Sequence, residues 1–105
     1  MTAKTRKQQI EEMLESEPND VELRYMLAME HASLGDDAAA VGAFRNLIAI
    51  DPEYPAAYHM GGRALQRLGK IDDARALLQQ GIPVSLKLGN THAAGEMQEL
   101  LENLD

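Results

Sequence analysis

The sequence predicts an all-α protein of about six helices, arranged as antiparallel hairpins. Three observations carry this. Ala, Leu, Met and Glu are abundant and β-branched residues sparse, a balance that favours helix over strand. The stretch SLGDDAAAVGAF (Ser33–Phe44) halts an apolar helical pattern with a glycine and two aspartates, then restarts it at once, as the tight turn of a helical hairpin does. The chain also matches itself at an offset of 34 residues: Pro18 with Pro52, Met26 with Met60, Leu34-Gly35 with Leu68-Gly69, Ala40 with Ala74, and Ile48 with Ile82. These matches fall on breakers and apolar anchors, where a hairpin is constrained.

Each element follows in order, within a single domain spanning residues 1–105. In segment 3–16, Ile10, Met13 and Leu14 fall one period before Phe44, Leu47 and Ile48. It is expected to be half a repeat, a lone second-type helix covering the first hairpin. In the first full unit, residues 20–50, Asp20 can cap a helix carrying Leu23, Met26, Leu27 and Leu34 at helical spacing. Gly35 ends it in the left-handed conformation, and Asp36 or Asp37 caps the next helix with a carboxylate at its positive end. That helix carries Ala40, Phe44, Leu47 and Ile48 and stops before Asp51-Pro52.

The second unit, residues 54–88, repeats the scheme with Tyr58, Leu65 and Leu68, a turn at Gly69, then Ala74, Leu77 and Leu78. Gly61-Gly62 inside its first helix costs about 1 kcal/mol per glycine relative to alanine, which points to close approach of a neighbouring helix backbone. Gly81 and Pro83 predict a kink or break, because proline lacks the amide donor and clashes with the preceding turn. Gly89 ends that helix. Asn90 or Thr91 caps the last, 91–104, whose Ala94, Met97, Leu101 and Leu104 form one stripe and whose glutamates suit the polar end of a stack.

Charge and composition narrow the function. The net charge of −7, from 17 acidic and 10 basic residues, repels phosphate backbones, so no nucleic-acid partner is expected. Lys4, Arg6 and Lys7 read as the solvated start of a helix. There is no cysteine, hence no disulfide framework, thiolate nucleophile or cysteine metal site. No signal-peptide core or membrane-spanning run is visible, so a cytoplasmic protein with no membrane partner is expected. His31, His59 and His92 lack zinc-type spacing with one another. Gly61-Gly62 lacks the lysine and serine or threonine of a phosphate loop, Asp36-Asp37 and Asp72-Asp73 sit at helix starts where capping accounts for them, and no serine lies in a nucleophile motif. The expectation is a non-enzyme with no metal and no cofactor.

Together the residues resemble the tetratricopeptide repeat (TPR) family. Its unit favours an aromatic near the start, a Leu-Gly pair at mid-turn, a small residue early in the second helix, a bulky apolar residue four on, and a closing proline. Leu34-Gly35, Ala40, Phe44 and Pro52 supply these in one unit, and Tyr58, Leu68-Gly69, Ala74 and Leu78 in the other. The resemblance covers roughly residues 18 to 85, with half-repeat extensions on either side. Arg24 departs at the early aromatic position, His31 and Leu65 where tyrosine is common, and Pro83 falls three residues early for a closing proline.

The resemblance implies a short right-handed superhelix whose concave surface, made by the first helix of each hairpin, binds peptides or partner helices. Carried over by period, the candidate groove residues are Glu22, Tyr25, Met26 and Met29, then His59, Met60, Arg63 and Arg67, with Ala93, Ala94 and Met97 from the last helix. Methionine suits varied apolar partners and arginine can grip a carboxylate, so a segment with apolar anchors and an acidic group fits. Met26 and Met60 read equally well as core, and Arg63 and Arg67 could pair with local acids such as Asp73. A related subgroup clamps acidic chaperone tails through lysines and asparagines. Tyr25, Met29, Ala56 and Met60 stand at those positions here, which argues against that function.

The expected function is a non-catalytic protein–protein interaction module for an unidentified protein or peptide. The alternative is a self-associating structural protein, a homodimer whose groove or end is covered by another copy. A third reading is a small acidic regulator binding a basic partner by charge alone, which salt would abolish.

Overall fold

The computed structural model of the chain describes residues 3–104. They form α1 (Arg6–Ser16), α2 (Val21–Ser33), α3 (Asp37–Ile50), α4 (Pro55–Arg67), α5 (Ile71–Lys87) and α6 (Thr91–Glu102), with no strand among them. Five of the six helices start at a cap or a proline. Thr5 and Gln8 form a reciprocal capping box on α1, the Thr5 hydroxyl accepting from the Gln8 amide at 3.1 Å and the Gln8 side chain accepting from the Thr5 amide at 2.9 Å. Asp20, Asp36 and Asn90 accept from the amides of Leu23, Ala39 and Ala93, capping α2, α3 and α6. Pro55 opens α4, where its missing amide costs nothing. Asp72 and Asp73 lie inside the first turn of α5 and do not cap it. Lys70 holds that position and makes no side-chain cap bond.

One turn geometry is used three times. Gly35, Gly69 and Gly89 adopt φ of 79°, 77° and 74°, and the amides of each glycine and its successor bond back to carbonyls of the preceding helix. The turns before α2 and α4 are built differently, around Pro18 and Pro52. There the Arg24 Nε donates to the Pro18 carbonyl at 2.8 Å, and one period later the Tyr58 hydroxyl donates to the Pro52 carbonyl at 2.7 Å. Arginine at the aromatic position thus makes the same tie from helix to preceding turn.

The helices stack in two layers. α2 pairs with α3 and α4 with α5 as hairpins, α1 lies on α2, and α6 on α5. Within one layer α2 touches α4 and α4 touches α6, whereas α1, α3 and α5 do not touch one another. Helices close on one side and splayed on the other give a curved stack with α2, α4 and α6 on the inside. The longest dimension, 48 Å, exceeds the length of any helix, since even α5 spans only about 26 Å, so it lies along the stack.

The core runs between the layers, with Phe44, Leu47, Leu65, Leu78 and Met97 fully buried. α4 approaches its neighbours through glycines. A Cβ at Gly61 would meet Leu77 and Phe44, and one at Gly62 would meet Leu78 at 2.8 Å. The close partners are side chains, where sequence reasoning expected backbone.

Three further expectations are corrected. Leu34 (63% exposed) and Leu68 (39%) stand at the turns, past the last buried position of their helices, and do not belong to the core stripes. Met13 is 45% exposed although Leu47, one period on, is fully buried, because α1 packs on α2 alone. α5 runs unbroken through Gly81 and Pro83. Pro83 is exposed, so the carbonyl deprived of its donor lies toward water, while the buried Ser85 hydroxyl donates to the Gly81 carbonyl at 2.9 Å.

Gly81 and Gly42 make opposite predictions. A Cβ at Gly81 would lie 2.4 Å from the Tyr58 Cβ, an atom held to the α4 backbone, and 2.7 Å from the Met97 Sδ. Gly81→Ala is expected to destabilise by about 1–3 kcal/mol through overpacking. A Cβ at Gly42, in α3, meets nothing within 4 Å, so Gly42→Ala should stabilise by about 0.5–1 kcal/mol. Urea unfolding of both variants tests this, and a stable Gly81→Ala would show that α4 and α5 are less closely packed.

Candidate functional site

The inner layer is the one in which three helices touch in succession, α2 with α4 and α4 with α6. Counted from each helix start, the sixth residues of α2, α4 and α6 are Met26, Met60 and Glu96, and the ninth are Met29, Arg63 and Glu99. The inner face therefore changes along the stack, from thioethers on α2 through a cation on α4 to carboxylates on α6.

Two depressions lie along it. Between α2 and α4 is one of about 430 Å³, walled by Met29, Ala32, Met60 and Arg63 with Phe44 at its floor. Between α4 and α6 is another of two lobes, about 410 and 280 Å³, which share His59 and Glu96. Met60 borders both depressions, and so does Arg63. Beside the first, Tyr25 stacks on Phe44 and Tyr54 with ring centroids 6.1 and 5.5 Å away, in tilted geometry. Burial raises both tyrosine phenols above their usual range, and for Tyr54 the nearby Tyr25, Glu22 and Asp51 add to it.

The residues singled out from sequence separate into three groups. Met29, Met60 and Arg63 line the depressions, with His59 at the base of the second. Glu22 is exposed and Met26 and Tyr25 are half-buried, none of them lining either of these two depressions. Met97 is corrected outright: it is 0% exposed, its sulfur packed against Gly81 of α5, so it is core and not groove. Ala94 is buried with it, and Ala93 lines the second depression. Arg67 borders the first depression but is engaged, its Nε and Nη2 both 2.9 Å from the Asp37 Oδ1 at the start of α3. Its partner is thus Asp37 and not Asp73. Glu96 and Glu99 escaped sequence reasoning, because α6 starts 36 residues after α4 and falls out of phase with the 34-residue period. Counting from the caps would have found them.

His59 is 9% exposed and makes no side-chain hydrogen bond among the described residues. No sealed side-chain nitrogen or oxygen there lacks a partner, so its ring nitrogens are open to the depression. Burial lowers its pKa below the usual imidazole value. Arg63 pushes the same way, and Glu96 opposes. No cluster of three or more His, Asp or Glu suited to a metal ion occurs among the described residues, and no helix there is long and apolar enough to cross a membrane.

Comparison with known proteins places this architecture. The sequence profile of the tetratricopeptide repeat matches residues 31–87. A TPR repeat-containing protein of Pseudomonas aeruginosa is 29% identical over 96 residues, 91% of each chain. The solution structure of a tetratricopeptide repeat domain protein from Salinibacter ruber is 33% identical, with a TM-score of 0.75 over 80% of this chain and 85% of its own. A Bordetella parapertussis protein, also solved in solution, superposes with a TM-score of 0.83 at 25% identity, over 95% of this chain and 87% of its own.

The His59 environment predicts a pH dependence of stability. The folded chain holds His59 below the unfolded value of about 6.5, so between the two values the unfolded chain binds more protons. The stability His59 contributes is complete above about pH 6.5 and is lost as pH falls through the folded value. His59→Gln should flatten the dependence of urea-unfolding free energy on pH just below 6.5, and an unchanged slope would remove His59 as its source.

Proposed function

The chain belongs to the tetratricopeptide repeat family, and from that premise we propose that it is a non-catalytic protein-interaction module of the cytoplasm, whose inner α2–α4–α6 face receives a peptide or partner helix. The observation that carries this is Met60. It stands half-buried at the centre of the face and borders depressions on both sides, with exposed Met29 beside it. The face is held by packed helices and by Arg67–Asp37, so its shape precedes binding, and thioethers adapt to different apolar anchors. No nucleic acid or membrane enters the reading. The chemistry at hand is apolar contact and hydrogen bonding, with no nucleophile–base pair on the face.

A second reading, self-association into a homodimer, is supported by the exposed leucines at the turns, Leu34, Leu68 and Leu88, with Leu86 nearby. The two readings require different experiments to fail. A Met29→Glu, Met60→Glu variant with unchanged helical circular dichroism should lose protein partners that wild-type bait retains from lysate of the source cells. Recovery of the same set by both baits would sink the groove reading. A sedimenting dimer that dissociates in Leu34→Glu, Leu68→Glu would establish the second.

A further inference from the structure

The electrostatics of the inner face specify the sign of the partner's charge, and it is not the sign the arginines suggest. Arg67 is already neutralised by Asp37. Arg63, which makes no ion pair among the described residues, is the remaining cation of the face and is matched in register by Glu99 on α6, with Glu96 one turn earlier. The His92 Nε2 lies 3.1 Å from the Glu96 Oε1 but compensates its charge only when protonated. Two carboxylates thus face one guanidinium across the α4–α6 depression.

At the base of that depression His59 is nine-tenths buried and without an intramolecular hydrogen bond, its nitrogens not sealed from the depression. Its ring nitrogens make no hydrogen bond within the chain and open into the depression, so a ligand there can reach them in exchange for water. In neutral form the imidazole offers one acceptor and one donor. The other depression holds no free charge but Arg63, and Met29, Met60, Ala32 and Phe44 line it beside the Ser33 hydroxyl and the paired Arg67. The net charge of −7 steers in the same direction, toward a cationic partner.

We propose that the groove selects a cationic, apolar segment of a partner protein: an apolar side chain seated between α2 and α4, and a lysine or arginine held between α4 and α6 by Glu96, Glu99 and His59. This rests on the groove reading above and adds the partner's chemistry to it. The spacing follows from the fold. Neighbouring packed helices lie about 8–10 Å apart and an extended chain advances about 3.3 Å per residue, so the two anchors stand about three residues apart in an extended segment. In a helical partner they stand about seven apart, on one face.

The test is selection of random peptides displayed on phage against the wild-type protein, a Met60→Glu variant, a Met29→Glu variant and a Glu96→Gln, Glu99→Gln variant, each with unchanged helical circular dichroism. Wild-type is expected to enrich an apolar residue followed or preceded at that spacing by lysine or arginine. A synthetic peptide of the enriched sequence should lose about 1.4- to fivefold in affinity for each carboxylate neutralised, the range for an exposed ion pair. Enrichment of acidic or uncharged sequences that fail to bind both methionine variants would overturn the charge assignment and leave the groove reading standing. No enrichment, or sequences that bind the methionine variants as well as wild-type, would overturn both.

Discussion

Everything in this molecule depends on how closely α4 can be approached. It touches α2, α3, α5 and α6, and seven of its residues are buried. A helix surrounded on that scale cannot carry bulky side chains all round, because four neighbours at ordinary packing distance would collide. Gly61 and Gly62 leave the space that Leu77, Leu78 and Phe44 fill, while Gly81 lets α5 receive the ring of Tyr58. Each helical glycine costs about 1 kcal/mol of propensity. The offset is dense contact for Phe44 and Leu78, both fully buried, each such side chain contributing about 1.5–3 kcal/mol.

The same crowding makes the inner face. With three sides of α4 consumed by packing, the remaining side presents Met60, Arg63 and Arg67, and the neighbours on that side are the same faces of α2 and α6. The depressions are the shallow intervals between helices that touch only at their closest points. His59 belongs to both systems, enclosed by α6 yet open at its nitrogens. A residue in that position is held rigid by packing while its polar atoms remain available, the arrangement a recognition group requires.

Much of the fold was legible because hairpins are governed by local chemistry. Asp20, Asp36 and Asn90 cap where their side chains can reach an amide, and Gly35, Gly69 and Gly89 turn where only glycine adopts the backbone cheaply. Even Arg24, a departure by residue type, makes the bond that Tyr58 makes. What failed to show was non-local. Leu34 and Leu68 fit the helical spacing but sit one step beyond the facing helix. Pro83 breaks a rule whose hydrogen-bond cost falls when the orphaned carbonyl faces water, and exposure cannot be read from the residue itself. On the face, Met29, Met60 and Arg63 were found by period, but the period ends at α5. The glycine turn before α6 replaces the proline turn used earlier, shifts the register, and hid Glu96 and Glu99 while promoting Met97.

That shift also bears on how copies of the chain could meet. The eighth residues of α2 and α4 are Ala28 and Gly62, both buried beneath the next layer, whereas the eighth residue of α6 is the exposed Gln98. A helix laid on α6 as α5 lies on α4 would have to pass over Gln98, where α4 has no side chain at all. It would also bury beside it the carboxylate of Glu102, which accepts from the Gln98 Nε2 at 3.2 Å, and a buried charge is costly. At the other end of the stack, Arg6 and Lys7 stand one period before the buried Ala40 and Val41. End-to-end stacking of copies is therefore opposed at both faces. A partner seated in the proposed groove meets no such opposition, since the side chains lining it are already positioned and one of them, His59, makes no hydrogen bond within the chain.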